Sequence, residues 1–218
     1  MVAGLANPEE YNMENAVCKK CRRAGQKLFL KGERCFTPKC AMIKKPYAPG
    51  IHGKKRRRAI SEYGTQLAEK QKICRIYDIR ERQFKRYFRE ASKEKGIIGD
   101  NLLKKLETRL DNVIFKLGLA ESRKKARQFV SHGHILVNNK KVNIPSFQVK
   151  PKDVIKVKKA SLGLAAFKDL GTKLKKFKTS DWLSLDKNKL EGKIVSYPQR
   201  EDISIPVDMQ MIVEYYSR

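Results

Sequence analysis

Apolar residues recur at helical intervals along much of the chain. Phe84, Tyr87, Phe88 and Ala91 follow the i, i+3, i+4, i+7 rule, which gathers them on one stripe and predicts a helix that Gly96 to Gly99 closes. Leu67, Cys74 and Tyr77 recur at near-helical spacing before it, with Asp78 marking a break. Leu102, Leu103 and Leu106 open a further helix. From residue 108 the pattern tightens. Thr108 with Asp111 reads as a capping box, Leu110, Val113, Ile114 and Leu117 make a stripe, and Gly118 is placed to end it. A second helix starts after Ser122, with Ala126, Phe129 and Val130 on its core face, and Gly133 stops it.

The period then changes. A strand is predicted at His134 to Val137, a tight turn at Asn138-Asn139, a return strand at Lys140 to Ile144, and a third at Asp153 to Val157. Residues 160–180 are basic, with Phe167, Leu170, Leu174 and Phe177 at roughly helical spacing, and predict a short amphipathic helix. After Pro206, Asp208 caps a last helix whose stripe is Met209, Ile212, Val213 and Tyr216.

Charge decides the class of partner. The 218 residues hold 50 Lys+Arg against 23 Asp+Glu, a net charge of +27, with 40% hydrophobic residues. That apolar fraction is enough for one large or two modest folded domains. A compact chain so basic repels itself, and a polyanion relieves the repulsion while releasing condensed counterions. Nucleic acid is the leading partner and an anionic membrane the runner-up. No apolar run approaches the length of a membrane span. The first Lys is Lys19, so a secretory leader is not expected; residues 1–17, with Glu9, Glu10 and Glu14, read as a mobile extension. A cytoplasmic protein with reduced thiols is the expectation.

Four of the five cysteines lie close together. Cys18-Lys-Lys-Cys21 and Cys35-Phe-Thr-Pro-Lys-Cys40 form two pairs that can set four sulfurs around one tetrahedral site. Zinc suits four thiolates, and a closed sulfur shell leaves no open position, so the site would be structural. Lys19, Lys20, Arg22 and Arg23 beside it would offset the thiolate charge. An iron–sulfur cluster takes the same ligands, and two disulfides use the same side chains. Cys74, on a helical stripe, reads as a core residue.

Two segments carry candidate RNA contacts. Lys54, Lys55, Arg56, Arg57 and Arg58 form a run of five cations after a Gly- and Pro-rich lead-in; a solvated tail or a localisation signal has the same composition. On the helix after Ser122, Arg123, Lys124 and Arg127 make a basic face opposite the core face, and His132 and His134 flank Gly133 near it. Such a face can approach an RNA backbone while its other side packs.

Arg109-Leu-Asp-Asn-Val, then Ser122-Arg-Lys-Lys-Ala-Arg-Gln-Phe-Val-Ser-His-Gly-His-Ile-Leu-Val-Asn, then Val142-Asn-Ile-Pro-Ser closely resemble the αL RNA-binding module. That module occurs in a ribosomal protein family, some pseudouridine synthases, tyrosyl-tRNA synthetase and a heat-shock RNA-binding protein. The four cysteines, Ala48-Pro-Gly-Ile-His-Gly, Ser61-Glu-Tyr-Gly, Gln66-Leu-Ala-Glu-Lys-Gln-Lys and Glu81-Arg-Gln-Phe narrow the resemblance to the bacterial small-subunit ribosomal protein S-four family, in its cysteine-containing, zinc-binding form. It runs from about Cys18 to the C-terminus and is weaker across 160–200. Asn139 stands where that family commonly has Gly in the hairpin turn, at a position expected to need positive φ, and Lys152 and Asp78 also replace a common Gly.

The resemblance implies an α+β fold in two domains. Residues 1–107 would be a mainly helical domain with the four-Cys metal knot, 108–205 the αL RNA-binding domain with a small β-sheet, and 206–218 a C-terminal helix returning to the first domain. It implies a structural constituent of the small ribosomal subunit that binds 16S rRNA directly, nucleates assembly and contributes to decoding accuracy. Neighbours would be ribosomal proteins five and three and the mRNA in the channel through which it enters the subunit. Arg109, Arg123, Lys124, Arg127 and His132 would contact rRNA through the αL module, and Lys54 to Arg58 would contact rRNA or mRNA. An RNA-modifying enzyme is the rival reading, but only 60 residues follow position 158, too few for a pseudouridine synthase's catalytic domain, and no nucleotide loop or open metal grouping is present. A DNA-binding regulator built on the cysteine knot would need a recognition helix directly after it, where Pro and Gly crowd the chain.

Overall fold

The computed structural model describes residues 17–55, 59–168, 170–175, 177–187 and 189–218. The expected extension therefore lies outside the described residues, apart from Val17, which is helical in the described part of α1 (17–24). Two hydrophobic cores organise the rest. The first joins α1 to α3 (Glu62–Ile76), α4 (Glu81–Ala91), α5 (Ile98–Glu107) and α10 (Met209–Ser217), with α2 (Ala41–Lys44) against its edge. The second joins α6 (Leu110–Lys116), α7 (Arg123–Ser131), α8 (Ala165–Lys168) and α9 (Leu170–Lys175) to a five-stranded sheet.

In the first core, α4 behaves as its stripe requires: Phe84, Tyr87, Phe88 and Ala91 are buried. The helix ends at Ala91, earlier than the glycines suggested, because the Ser92 hydroxyl bonds the Phe88 carbonyl at 2.8 Å and closes the last turn; Gly99 falls inside α5. Helix α3 starts at Ser61, whose hydroxyl accepts from the Gly64 N–H. Its inward face differs from the apolar reading. Gln66 and Lys70 are buried there while Leu67 is only half-buried. Both polar residues have partners on other elements: Gln66 Nε2 donates to Glu214 of α10, and Lys70 Nζ pairs with Glu81 at 2.9 Å. Burial pushes the Cys74 thiol up to about 12, which keeps it a protonated core residue.

Helix α10 returns to this core. Asp208 caps it by accepting from Gln210 and Met211, Met209 and Ile212 are buried, and Tyr216 stacks on Phe88 at 4.6 Å. The Tyr216 hydroxyl donates to Glu81 at 2.5 Å. The burial of Glu81 opposes its charge, but that bond and Lys70 outweigh it and hold the carboxyl below its ordinary range.

The second core is built on α6 and α7, whose Leu110, Val113, Ile114, Ala126, Phe129 and Val130 face inward as the stripes require. Ser122 caps α7, and Gly118 and Gly133 take positive φ just past the two helices. Thr108 does not form the expected capping box. Arg109 is the N-cap of α6, and Asp111 turns to Arg109 instead of bonding back to Thr108. The sheet order is β2-β1-β3-β5-β4, antiparallel throughout, from β1 (Ile135–Val137), β2 (Lys140–Lys141), β3 (Val154–Val157), β4 (Leu183–Asp186) and β5 (Glu191–Ile194). Asn138 and Asn139 both have positive φ in the β1–β2 turn, and Lys152 and Asp78 take it too. The return strand is two residues long, shorter than expected, with the Val142 N–H still donating to the Ile135 carbonyl before the chain leaves the sheet. Strands β4 and β5 had no strong sequence signal. Where a helix is expected across 160–180, the described helical residues are Ala165–Lys168 and Leu170–Lys175, which bury Phe167, Leu170 and Leu174.

Gly192 of β5 lies against Leu117 of α6, where an added Cβ would overlap the leucine methyls. Leu117 is fully buried and has nowhere to retreat. Gly192→Ala is expected to destabilise the sheet domain by about 1–3 kcal/mol, read as an earlier midpoint in chemical denaturation.

Candidate nucleic-acid interface

Where α5 runs into α6, five consecutive or near-consecutive polar side chains are buried. Glu107, Thr108, Arg109, Asp111 and Asn112 are each 4% exposed or less. Each is answered. Arg109 binds Asp111 through Nε at 3.0 Å and Nη2 at 2.6 Å, and its Nη1 donates to the Tyr87 hydroxyl of α4 at 2.8 Å. Burial opposes the guanidinium charge, but the Asp111 bonds and charge outweigh it and raise its pKa. Glu107 accepts from the Tyr77 hydroxyl at 2.5 Å and from Asn112 Nδ2 at 2.8 Å. Burial and then the Glu107 charge push the Tyr77 phenol well above its ordinary value, so it stays a donor. The Thr108 hydroxyl bonds Gln148, and Gln148 Nε2 donates to the Lys105 carbonyl. This cluster joins the two cores.

Arg109 is thus not offered to RNA. At 1% exposure it has no surface to present, and the expectation that it contacts rRNA is corrected: it positions α6. Two of the expected α7 cations are also committed to the protein. Arg123 Nε donates to Asn112 Oδ1 at 2.7 Å, and its guanidinium lies over the Tyr77 and Phe115 rings at 4.9 and 4.6 Å. Arg127 Nη1 donates to the Asp78 carbonyl at 2.7 Å. Both are half-buried, docking α7 on the C-terminal end of α3 with only part of each guanidinium facing out. Lys124 and His132 are exposed and open to a ligand. His134 bonds Ser161 Oγ at 2.9 Å; burial and then the charges of His132, Lys158 and Lys141 lower its pKa, which leaves it neutral near pH 7.

Lys54 and Lys55 are exposed, and Lys54 Nζ sits over the Tyr47 ring at 5.3 Å. Arg56, Arg57 and Arg58 lie outside the described residues. A further cationic face was not singled out in the sequence. Arg82, Lys85, Arg86, Arg89 and Lys93 are exposed along the outer side of α4 and line an open groove. Their spacing, opposite the Phe84–Ala91 stripe, is the signal that marks them. Arg86 pairs with Glu90 at 2.8 Å, and the charge of Lys85 acts on Glu81.

All five cysteines are free thiols, with Cys21, Cys35 and Cys40 buried and Cys18 half-buried. Among the described residues no three or more His, Cys, Asp or Glu side chains converge on a metal position. The four share a neighbourhood nonetheless. Burial first, then the charges of the other cysteines, raise the Cys21 and Cys35 thiols. The Lys31 N–H donates to Cys35 Sγ at 3.4 Å. Of the basic residues expected to balance the sulfurs, Lys20 pairs with Asp78 at 3.2 Å and Arg22 donates to the Tyr47 and Ala48 carbonyls.

Comparison with known proteins bears on both halves. Residues 12–107 match the family described as the ribosomal protein S4/S9 N-terminal domain, and residues 108–155 match the S4 domain. The chain is 53% identical over 205 residues to the small ribosomal subunit protein uS4 of Natranaerobius thermophilus, covering 94% of this chain and 98% of that one. It is 54% identical to that of Halothermothrix orenii and 52% identical to that of Thermus thermophilus, covering 93% of this chain and 97% of each.

Breaking the buried pair at the domain junction tests its weight. Asp111→Ala leaves the Arg109 charge buried without its partner and is expected to cost about 3–5 kcal/mol. Urea denaturation followed by tryptophan fluorescence reads it, since Trp182 lies in the second core; a cost below about 1 kcal/mol would mean that the junction does not depend on the pair.

Proposed function

Because this chain belongs to the ribosomal protein S4 family, we propose that it is a structural, non-catalytic constituent of the small ribosomal subunit, acting in the cytoplasm by binding 16S rRNA directly. The observation that carries the reading is the sorting of charge. Arg109, Arg123 and Arg127 hold the two domains together, while Lys54, Lys55, Lys124, His132 and the outer face of α4 point outward on rigid helices and a short loop. Folded RNA is recognised mainly through shape, phosphate and 2′-hydroxyl contacts, which calls for dispersed cations on a fixed frame. Among the described residues no helix is long and apolar enough to cross a membrane.

The finer parts of the proposal follow from family membership. The chain would nucleate subunit assembly, neighbour ribosomal proteins five and three, contribute to decoding accuracy, and place Lys54 to Arg58 near rRNA or the incoming mRNA. Cys18, Cys21, Cys35 and Cys40 would hold a structural zinc ion, with an iron–sulfur cluster as the alternative occupant. What supports a metal is the donor set: four free sulfurs in one neighbourhood, with a backbone N–H already directed at Cys35. A bound zinc would supply a cross-link between α1 and the segment at 35–40.

Binding to small-subunit rRNA at physiological salt, with excess transfer RNA and duplex DNA present, is expected to survive competition. Its affinity should fall steeply with salt, by a log–log slope of roughly 0.7–0.9 per phosphate neutralised. Binding that vanishes under competition would reduce the protein to a nonspecific polycation and end the assembly role. For the metal, the purified chain is expected to carry one equivalent of zinc, lost in Cys35→Ser while the sheet domain stays folded by circular dichroism. One full equivalent retained in Cys35→Ser would remove Cys35 from the ligand set.

A further inference from the structure

A cavity of about 120 Å³ opens where α1, the residues after it, the end of α3 and the first turn of α7 meet. At ~30 Å³ per water it holds about four waters, too little for a drug-sized ligand and suited to a compact ion. Lys20, Arg75, Arg123 and Lys124 line it, against one acid, Asp78, with the Phe29 ring at its edge. Four cations and one carboxylate exclude a metal ion and favour an anion.

Arg75 points to the same conclusion independently. It is half-buried and has no hydrogen-bond or ion-pair partner among the described residues. A guanidinium in that position has shed water without gaining an acceptor, and an anion in the cavity supplies one. Arg123 is held ready beside it: Nε is fixed on Asn112 and the plane rests on two rings, while its Nη groups have no partner among the described residues. A fork immobilised beforehand loses little entropy on binding. Among the described residues Lys124 is exposed and unpaired, and Lys20 is tied to Asp78 alone.

We propose that this cavity seats one backbone phosphate of the bound RNA, gripped at once by Lys20 and Arg75 from the helical domain and by Arg123 and Lys124 from the sheet domain. The inference rests on the RNA-binding role above and deepens it. A single phosphate here touches both domains, adding to the buried junction that already joins them.

The full-length chain tests this in two arms. Inorganic phosphate is titrated while arginine Nε–Hε resonances are followed by NMR. Arg75 and Arg123 are expected to shift saturably, with exposed Arg86 as the control, and Lys124→Gln should weaken the saturation several-fold. Linear drift of all arginines together, or no shift at Arg75, overturns the site. In the second arm, small-subunit rRNA is bound across a salt series. Arg75→Gln is expected to lower the magnitude of the log–log slope by roughly 0.7–0.9, the share of one phosphate, with Arg75→Lys restoring part of it. An unchanged slope in both Arg75→Gln and Lys124→Gln shows that no RNA phosphate sits there. Failure of the unaltered chain to bind rRNA, with the phosphate titration intact, instead overturns the RNA role and leaves an anion site with another ligand.

Discussion

The arrangement of the two domains depends on a short run of charge taken out of water. Between Glu107 and Asn112 the chain passes from one core to the other, and it does so without a flexible linker. A buried guanidinium costs several kcal/mol in desolvation unless it is fully answered, and Arg109 is answered by Asp111 and by Tyr87 on another helix. Because Tyr77 and Tyr87 belong to the helical core and Asn112 and Asp111 to the first helix of the other, satisfying these groups fixes how the domains meet. Apolar packing alone would allow the two cores to slide; hydrogen bonds of fixed direction do not.

This constraint divides the protein's surplus of cations into two populations. Arginines do the internal joining, as their planar forks suit several acceptors at once and their charge survives burial. Arg22, Arg109, Arg123 and Arg127 all bind backbone carbonyls, carboxylate or amide oxygens within the chain. Exposed positions carry both kinds, Arg82, Lys85, Arg86 and Arg89 on the outside of α4 and Lys140 and Lys141 on the hairpin. The net charge of +27 therefore overstates the number of charges free for a partner, yet the inner set gives the outer set its rigidity.

The sequence made the helices legible wherever a stripe was apolar. Phe84–Ala91, Leu110–Leu117 and Met209–Tyr216 are placed on their cores as periodicity requires, and Asn139 of the hairpin turn takes the left-handed conformation expected of it, as does Asn138 beside it. Family resemblance made the RNA-binding role legible, which no periodicity could do. Depth was harder to read. Arg109 looks like any basic residue in a motif, and only Asp111 two places on hinted that the pair turns inward. Buried Gln66 and Lys70 on α3 hid behind the rule that such residues face water, because their partners, Glu214 and Glu81, lie on other helices. Strand β5 stayed invisible because Gly192 interrupts the β-propensity at the place where Leu117 needs the room.

The return of α10 sets an order of events for a chain made from its N-terminus. The helical core draws on residues from Cys21 to Leu106 and again on Ile203, Val207, Met209 and Ile212. The sheet core is complete at Ile194. Domains fold as units while the chain is being synthesised, and a unit cannot close before its last member has emerged. The domain that begins first is therefore finished last. Until the final helix arrives, the face of α3 that carries Gln66 and Lys70 is wet, and the polar character of that face is what an incomplete domain in a crowded cell can tolerate without sticking to its neighbours.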